Sequence, residues 1–185
     1  MSTALEIKEA SRRLSAADRP GTIGSFFPYW DSQIRPFLLN AIAALPDDRF
    51  DFKPRPEMFT AHQVALHVAE AERGWIHHVL EGGPYEEWIL EHENPSLGWV
   101  TAHGGHDRAS LLSALAEWHA HTRRWFDQPA AELGTLVHYQ PQDGSAQRHY
   151  TVHYILARVQ EHEIHHRAQL VLYLRLMGIQ PPPIM

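Results

Sequence analysis

The segment from Thr151 to Met177 constrains the fold most, because its apolar residues recur at the spacing of an α-helix. At about 100° per residue, they share one face of that helix. The residues on this face are Val152, Ile155, Val159, Leu170, Tyr173 and Met177. The pattern predicts one long helix that buries this face, and Gly178 followed by three prolines predicts where it ends.

Two histidines interrupt the apolar face of this helix. His166 falls in the middle of the face, and His162 lies one turn earlier on its flank. Side chains four residues apart on a helix have Cβ atoms about 5–6 Å apart. Both imidazoles can therefore reach one metal ion at about 2.0–2.1 Å. A single histidine on a core face is more often a hydrogen-bonded core residue, so this pair alone leaves both interpretations open.

Glu163, next to the first histidine, also leans toward the core. It is a candidate acceptor that orients an imidazole or a candidate general base. The alternative is a charge at the edge of the stripe that reaches solvent, and the same alternatives apply to Glu70 and Glu72.

Three further amphipathic segments precede this helix. The first runs from about Thr22 to Leu45, with a kink expected at Pro36. The second begins at an N-cap Thr60 and stops at Gly82-Gly83-Pro84. The third begins at Asp107 and ends near Pro129. Asp143-Gly144 predicts a hairpin turn between two short strands. Residues 2–19 fit a short helix, and residues 85–106 are expected to form mostly a loop.

Four amphipathic helices with long connections predict an all-α, antiparallel four-helix bundle. We expect one domain over residues 1–185, with residues 1–21 as an N-terminal extension. Bundles commonly build metal sites in their cores from side chains on facing helices. His67 lies on the buried stripe of the second helix and is the natural third ligand. His78 lies nearly three turns away on that stripe, too far to join the same ion, and His119 is assigned a structural role.

Composition excludes several classes of function. The chain has 185 residues, a formal net charge of -6 and no cysteine. It therefore has neither disulfides nor thiolate ligands, and no basic face for nucleic acid. No run approaches the roughly 20 apolar residues of a membrane span, and the N-terminus lacks the apolar core of a signal peptide. The expected location is cytoplasmic.

Three histidines with an open fourth position suit Zn²⁺, and Ni²⁺, Fe²⁺ or Mn²⁺ also accept this ligand set. Because imidazole must be neutral to bind a metal, we expect metal loss below about pH 5–6. Residues 162–166 also satisfy the H-E-x-x-H pattern of zinc peptidases. No His, Asp or Glu follows His166, however, so any third ligand must come from upstream, which disfavours a peptidase.

Two segments resemble the DinB/YfiT-like family. One runs from Ala44 to Trp75 and places His67 where that family has its first histidine ligand. The other runs from His162 to Leu170 and resembles the family's H-x-x-x-H-R-G-Q segment, with ligands mapping to His162 and His166 and with Ala168 in place of the usual glycine. The likeness covers about Thr22 to Gly178.

The resemblance implies an up-down-down-up bundle, often a homodimer, with a divalent metal in a pocket at one end. It also implies an enzyme in which the metal activates a low-molecular-weight thiol or water, most simply a thiol transferase or isomerase acting on a small-molecule substrate, or else a metal-dependent hydrolase. The alternative is a binding or stress-associated protein whose metal is not catalytic.

Overall fold

The computed structural model describes residues 20–83, 107–141 and 143–183 of the chain. In these residues the fold is the predicted all-α four-helix bundle. Its helices are α1 Arg35–Ala43, α2 Ala61–Arg73, α3 Arg108–Arg123 and α4 Val152–Leu176. The short helix predicted within residues 2–19 and the loop predicted over residues 85–106 lie outside the described residues.

Two strands form the predicted ribbon between α3 and α4. β1 (Leu136–Tyr139) pairs antiparallel with β2 (Arg148–Thr151), and Leu136 lies opposite Thr151. The turn predicted at Asp143-Gly144 connects them, with Gly144 at a φ of +78° that favours glycine. The chain therefore passes directly from β2 into α4.

The predicted helix starts are confirmed at Thr60 and Asp107. The Thr60 hydroxyl accepts a hydrogen bond from the Gln63 amide at 3.0 Å, and the Gln63 side chain accepts one from the Thr60 amide at 2.9 Å. Asp107 and Ser110 form the equivalent reciprocal pair at the start of α3. Each pair satisfies two N–H groups that a helix terminus leaves without partners.

The first helical segment differs from the prediction of one kinked helix. It consists of a 3₁₀ turn (Ile23–Phe26), a π-helical segment (Trp30–Ile34) and then α1. Pro36 lies in the first turn of α1, where a missing N–H costs least. The chain accommodates the proline by starting the regular helix beside it. A second π-helical segment, Gly74–Leu80, continues α2.

Contacts at the helix ends establish the order of the bundle. Arg108 at the start of α3 donates to the carbonyl of Leu45 just after α1, so that these helices run in opposite directions. Arg49, which follows α1, donates to the carbonyl of Met177 at the end of α4 at 2.9 Å, so α1 and α4 run the same way. Because Tyr173 near the end of α4 donates to the Phe59 carbonyl before α2, α2 opposes α4. The order is therefore up-down-down-up.

The buried apolar residues form two clusters along the bundle. α4 contributes Val152, Ile155, Leu156 and Val159 to one cluster and Leu170, Val171, Tyr173 and Leu174 to the other. Between Val159 and Leu170 the buried side chains of α4 are Glu163 and His166. A polar layer therefore separates the two halves of the core, and it contains the residues singled out by the sequence.

Candidate metal centre

Three imidazoles from two helices converge within this polar layer. The Nε2 atom of His162 lies 3.1 Å from Nε2 of His67 and 3.1 Å from Nε2 of His166. One nitrogen from each of the three residues lies within 4.8 Å of the others. The helical spacing on α4 and the packing of α2 against α4 thus bring together the three predicted ligands.

The spacing of these nitrogens fits a shared cation. Ligands about 2.0–2.1 Å from a tetrahedral metal ion are roughly 3.3 Å apart, close to the observed separations. Hydrogen bonds alone satisfy the cluster poorly, since a neutral imidazole carries one N–H and His162 Nε2 faces two ring nitrogens. One ion among the three Nε2 atoms would use all three lone pairs.

A hydrogen-bond chain fixes the ring of His166. Its Nδ1 lies 2.9 Å from Oε1 of Gln169, and the amide of Gln169 donates to the Tyr173 hydroxyl at 3.2 Å. Tyr173 in turn donates to the carbonyl of Phe59 at 3.0 Å. Because an amide oxygen only accepts, the proton of His166 lies on Nδ1 and leaves the Nε2 lone pair toward the cluster.

His67 is oriented in a similar way. Its Nδ1 lies 3.4 Å from Oε2 of Glu70, which is 4% exposed. A carboxylate beside Nδ1 favours a proton on that nitrogen and makes Nε2 the metal-binding atom. Glu70 is buried, so the alternative of a solvated charge is wrong for this residue. The His67 side chain itself is 25% exposed, so the cluster reaches the surface on this side.

The environment keeps two of the imidazoles neutral. Burial, together with the neighbouring His166 and His67, lowers the pKa of His162 to about 3. Burial likewise lowers the pKa of His166 to about 4, although its hydrogen bond to Gln169 opposes the shift. Both rings therefore present lone pairs at neutral pH, which is the form that binds a metal.

A second group of ionisable side chains, centred on Arg35, occupies the same layer. One terminal nitrogen of Arg35 lies 2.5 Å from Oε2 of Glu72 and 2.5 Å from Oε1 of Glu163. Trp30 donates its indole N–H to the same oxygen of Glu163 at 2.7 Å. Arg35 is 3% exposed and both carboxylates are 0% exposed. We call Arg35, Glu72, Glu163 and His119 the Arg35 cluster.

His119 joins this cluster from α3. Its Nε2 lies 2.7 Å from Asp31, and its Nδ1 lies 3.8 Å from Oε1 of Glu72. Thr122 donates to that same oxygen of Glu72 at 2.7 Å. The structural role predicted for His119 fits these contacts. Glu72, His119 and Glu163 could also hold a metal by proximity alone, but the Arg35 guanidinium already supplies the positive charge between the carboxylates.

Charge and burial act differently on the two carboxylates of the Arg35 cluster. Burial raises the pKa of Glu72, but the charge of Arg35, the nearby His119 and the hydrogen bond from Thr122 outweigh it and bring the pKa to about 2. Burial raises the pKa of Glu163 to about 7, against the opposing charge of Arg35. For His119, burial lowers the pKa, but the hydrogen bond to Asp31 and the nearby carboxylate of Glu72 raise it overall.

The structure separates Glu163 from the predicted metal ligands. It lies beside His162 in sequence, yet its carboxylate binds Arg35 and Trp30, and its Oε2 atom has no hydrogen-bond partner among the described residues. The alternative of a solvated charge at the stripe edge is wrong for Glu163 and for Glu72. A catalytic role for Glu163 stays a prediction.

Sequence reasoning missed two contributors to the layer. Arg35 stands among apolar residues of the first helical segment, and a lone arginine on such a stripe is a signal that a buried carboxylate faces it. Gln169 lies three residues after His166, which is the spacing of side-chain neighbours on a helix. For Arg35, the carboxylates lie on other helices and were not evident from the sequence, whereas the partners of Gln169 lie on its own helix and could have been found from the spacing.

Residues 18–185 match the sequence profile of the DinB family. The chain belongs to the DinB family. Among solved structures, a DinB-like protein from Bacillus cereus ATCC 10987 is similar in fold, with a TM-score of 0.60 and 16% sequence identity over 89% of this chain and 99% of that one. No curated protein matches the sequence. Of the helices in the described part of the chain, none is long and apolar enough to cross a membrane.

Proposed function

We propose that this DinB-family protein is a metal-dependent enzyme whose divalent ion is held by His67, His162 and His166. The observation that carries the proposal is the convergence of three Nε2 atoms, two of them belonging to imidazoles kept neutral by burial. Three ligands in the described cluster would leave a tetrahedral ion one position for water or substrate, as is typical of catalytic rather than structural sites.

The donor set favours Zn²⁺ or Ni²⁺, and Fe²⁺ or Mn²⁺ are less well matched to three imidazoles. When bound, such an ion supplies Lewis-acid chemistry: it polarises a substrate oxygen or lowers the pKa of a coordinated water or thiol. Gln169 and Glu70 would orient two of the three ligands. Gln169 accepts a hydrogen bond from Nδ1 of His166, and Glu70 lies beside Nδ1 of His67.

We propose thiol transfer or isomerisation as the reaction class, with a low-molecular-weight thiol as co-substrate of a small electrophile. The chain supplies no thiol of its own, because it contains no cysteine. Metal-dependent hydrolysis is the runner-up within the same site. A homodimer and a cytoplasmic location are also proposed, both from the family resemblance.

We also propose Glu163 as a general base. A carboxyl group with a pKa near 7 and an oxygen without a partner has the properties of a base at neutral pH. Its complete burial against Arg35 instead fits a residue that fixes the rotation of α4. Glu163→Gln separates these roles: loss of activity with unchanged metal affinity supports the base, and loss of metal affinity supports the positioning role.

The proposal is tested by loading the protein with Zn²⁺ or Ni²⁺ and screening small thiols against electrophiles. His166→Ala is the informative variant, and His153→Ala is its matched control, since His153 is exposed on the same helix. We expect turnover by the wild type and by His153→Ala, and none by His166→Ala. Equal turnover by all three would remove the metal site from the reaction.

A further inference from the structure

A cavity of about 210 Å³ lies where the π-helical end of α2 meets the β-ribbon. Its walls include Trp75, His78, Val79, Tyr139, Arg148 and Tyr150, and we call it the ribbon pocket. Trp75 lies eight residues after His67, so the pocket is roughly 12 Å along the bundle from the three histidines. It shares no lining residue with the candidate metal centre.

The ribbon pocket is built largely from aromatic rings. The rings of Trp75 and Tyr150 meet edge to face, with centroids 5.4 Å apart and an interplanar angle of 80°. His78 and Tyr139 form a second edge-to-face pair at 5.3 Å and 86°. All four side chains are half-buried. A cavity of about 150 Å³ can hold benzene, so the ribbon pocket is large enough for one aromatic ring with a small substituent.

Hydrogen bonds hold one wall of the pocket in place. Nδ1 of His78 lies 2.9 Å from the carbonyl of Gly83, and its Nε2 lies 3.3 Å from the hydroxyl of Tyr139. A carbonyl only accepts, so Nδ1 carries the proton and Nε2 accepts from Tyr139. The imidazole thus ties the π-helical segment to β1, and a π-helical segment often marks a functional site.

Arg148 gives the ribbon pocket a positive rim. It lies directly across the ribbon from Tyr139 and is exposed. In the described part of the chain, its guanidinium makes no hydrogen bond and no salt bridge, and it interacts with the exposed carboxylate of Asp143 through charge alone. A guanidinium presents paired N–H donors that match a carboxylate in a bidentate arrangement. The pocket therefore combines a slot for a planar ring with a group that selects negative charge.

We propose that the ribbon pocket binds a small aromatic carboxylate. The ring lies against Trp75 and Tyr150, and the carboxylate is held by the guanidinium of Arg148. This site goes beyond the proposed metal chemistry and does not depend on it, because none of its contacts involves the three histidines.

The test is a titration of the full-length protein with benzoate, followed by NMR through the indole N–H resonance of Trp75 and by saturation transfer to the ligand. We expect saturable binding that Arg148→Gln weakens by roughly fivefold, the effect of losing one partly exposed ion pair. Arg175→Gln, which also removes an exposed arginine, is the matched control and should bind as the wild type does. Benzyl alcohol and cyclohexanecarboxylate should each bind more weakly than benzoate.

His166→Ala distinguishes this site from the metal centre. Benzoate that coordinates a metal would lose its affinity in that variant, whereas binding in the ribbon pocket would be retained. The inference is overturned if benzoate leaves the Trp75 resonance unchanged, if Arg148→Gln binds benzoate as tightly as Arg175→Gln, or if binding disappears in His166→Ala.

Discussion

The three-histidine cluster and the Arg35 cluster lie in the same polar layer of the bundle, yet their charges are arranged in opposite ways. The histidine cluster brings three ring nitrogens together with no charged side chain between them, and it opens toward solvent beside His67. The Arg35 cluster is closed, and its carboxylates already surround a guanidinium. In both clusters, side chains that could bind a metal lie close together.

This difference shows which of two similar groups of ligands is suited to a metal. A metal needs lone pairs that no other cation occupies and a path by which it can enter. The histidine cluster meets both conditions. The Arg35 cluster meets neither, because Arg35 lies between Glu72 and Glu163 and all three are buried. We therefore propose metal binding for the first cluster and stabilisation of the bundle for the second.

The largest expected effect comes from Arg35→Met. Removing this cation leaves two buried carboxylates without their partner, which typically costs about 3–5 kcal/mol. Urea unfolding of the variant should show this loss in the free energy of unfolding. Arg55→Met, at an exposed position, is the control and should change stability little. A cost below about 1 kcal/mol for Arg35→Met would mean that the cluster is not the stabilising element we assign.

The next largest effect is expected from Gln169→Leu, which should weaken metal binding at the three-histidine cluster. The substitution removes the acceptor that holds the Nδ1 proton of His166 while keeping a side chain of similar size. Loss of such an outer partner typically lowers metal affinity by about 10–100-fold. Competition with a chelator measures the change. If affinity stays at the wild-type value, the hydrogen bond does not orient the ligand.

The pH dependence of stability should distinguish the two clusters without destroying either. In metal-free protein the lowered pKa values of His162 and His166, about 3 and 4, keep them neutral while the unfolded chain gains protons below about pH 6.5. Their contribution to stability is therefore lost as the pH falls from about 6.5 toward 4. Glu163 acts oppositely: its raised pKa makes its contribution disappear as the pH rises from about 4.5 through 7.

Replacing both His162 and His166 with Gln should flatten the acid side of this profile, and Glu163→Gln should flatten the neutral side. Urea unfolding at a series of pH values measures both. An unchanged acid slope in the double variant would show that the two imidazoles are not buried as neutral groups. Because these pKa values are low, we expect acid to release the metal only below the pH of about 5–6 at which ordinary histidines gain a proton.

The sequence was sufficient to predict the fold and the three histidines, because both depend on helical spacing. His162 and His166 are four residues apart on one helix, and His67 lies on an apolar stripe that had to face it. The Arg35 cluster depends on the relative rotation of all four helices, which local periodicity does not contain. The start of α1 was also missed, since a π-helical segment before Pro36 has no distinctive spacing of apolar residues.

The most direct test of the central claim is the metal content of purified protein and of its single-histidine variants. Equilibrium dialysis against Zn²⁺ or Ni²⁺, followed by elemental analysis, should give one tightly bound ion per chain in the wild type and in His153→Ala. His67→Ala, His162→Ala and His166→Ala should each lose that ion. Wild-type affinity in any one of these three variants would contradict the three-histidine centre.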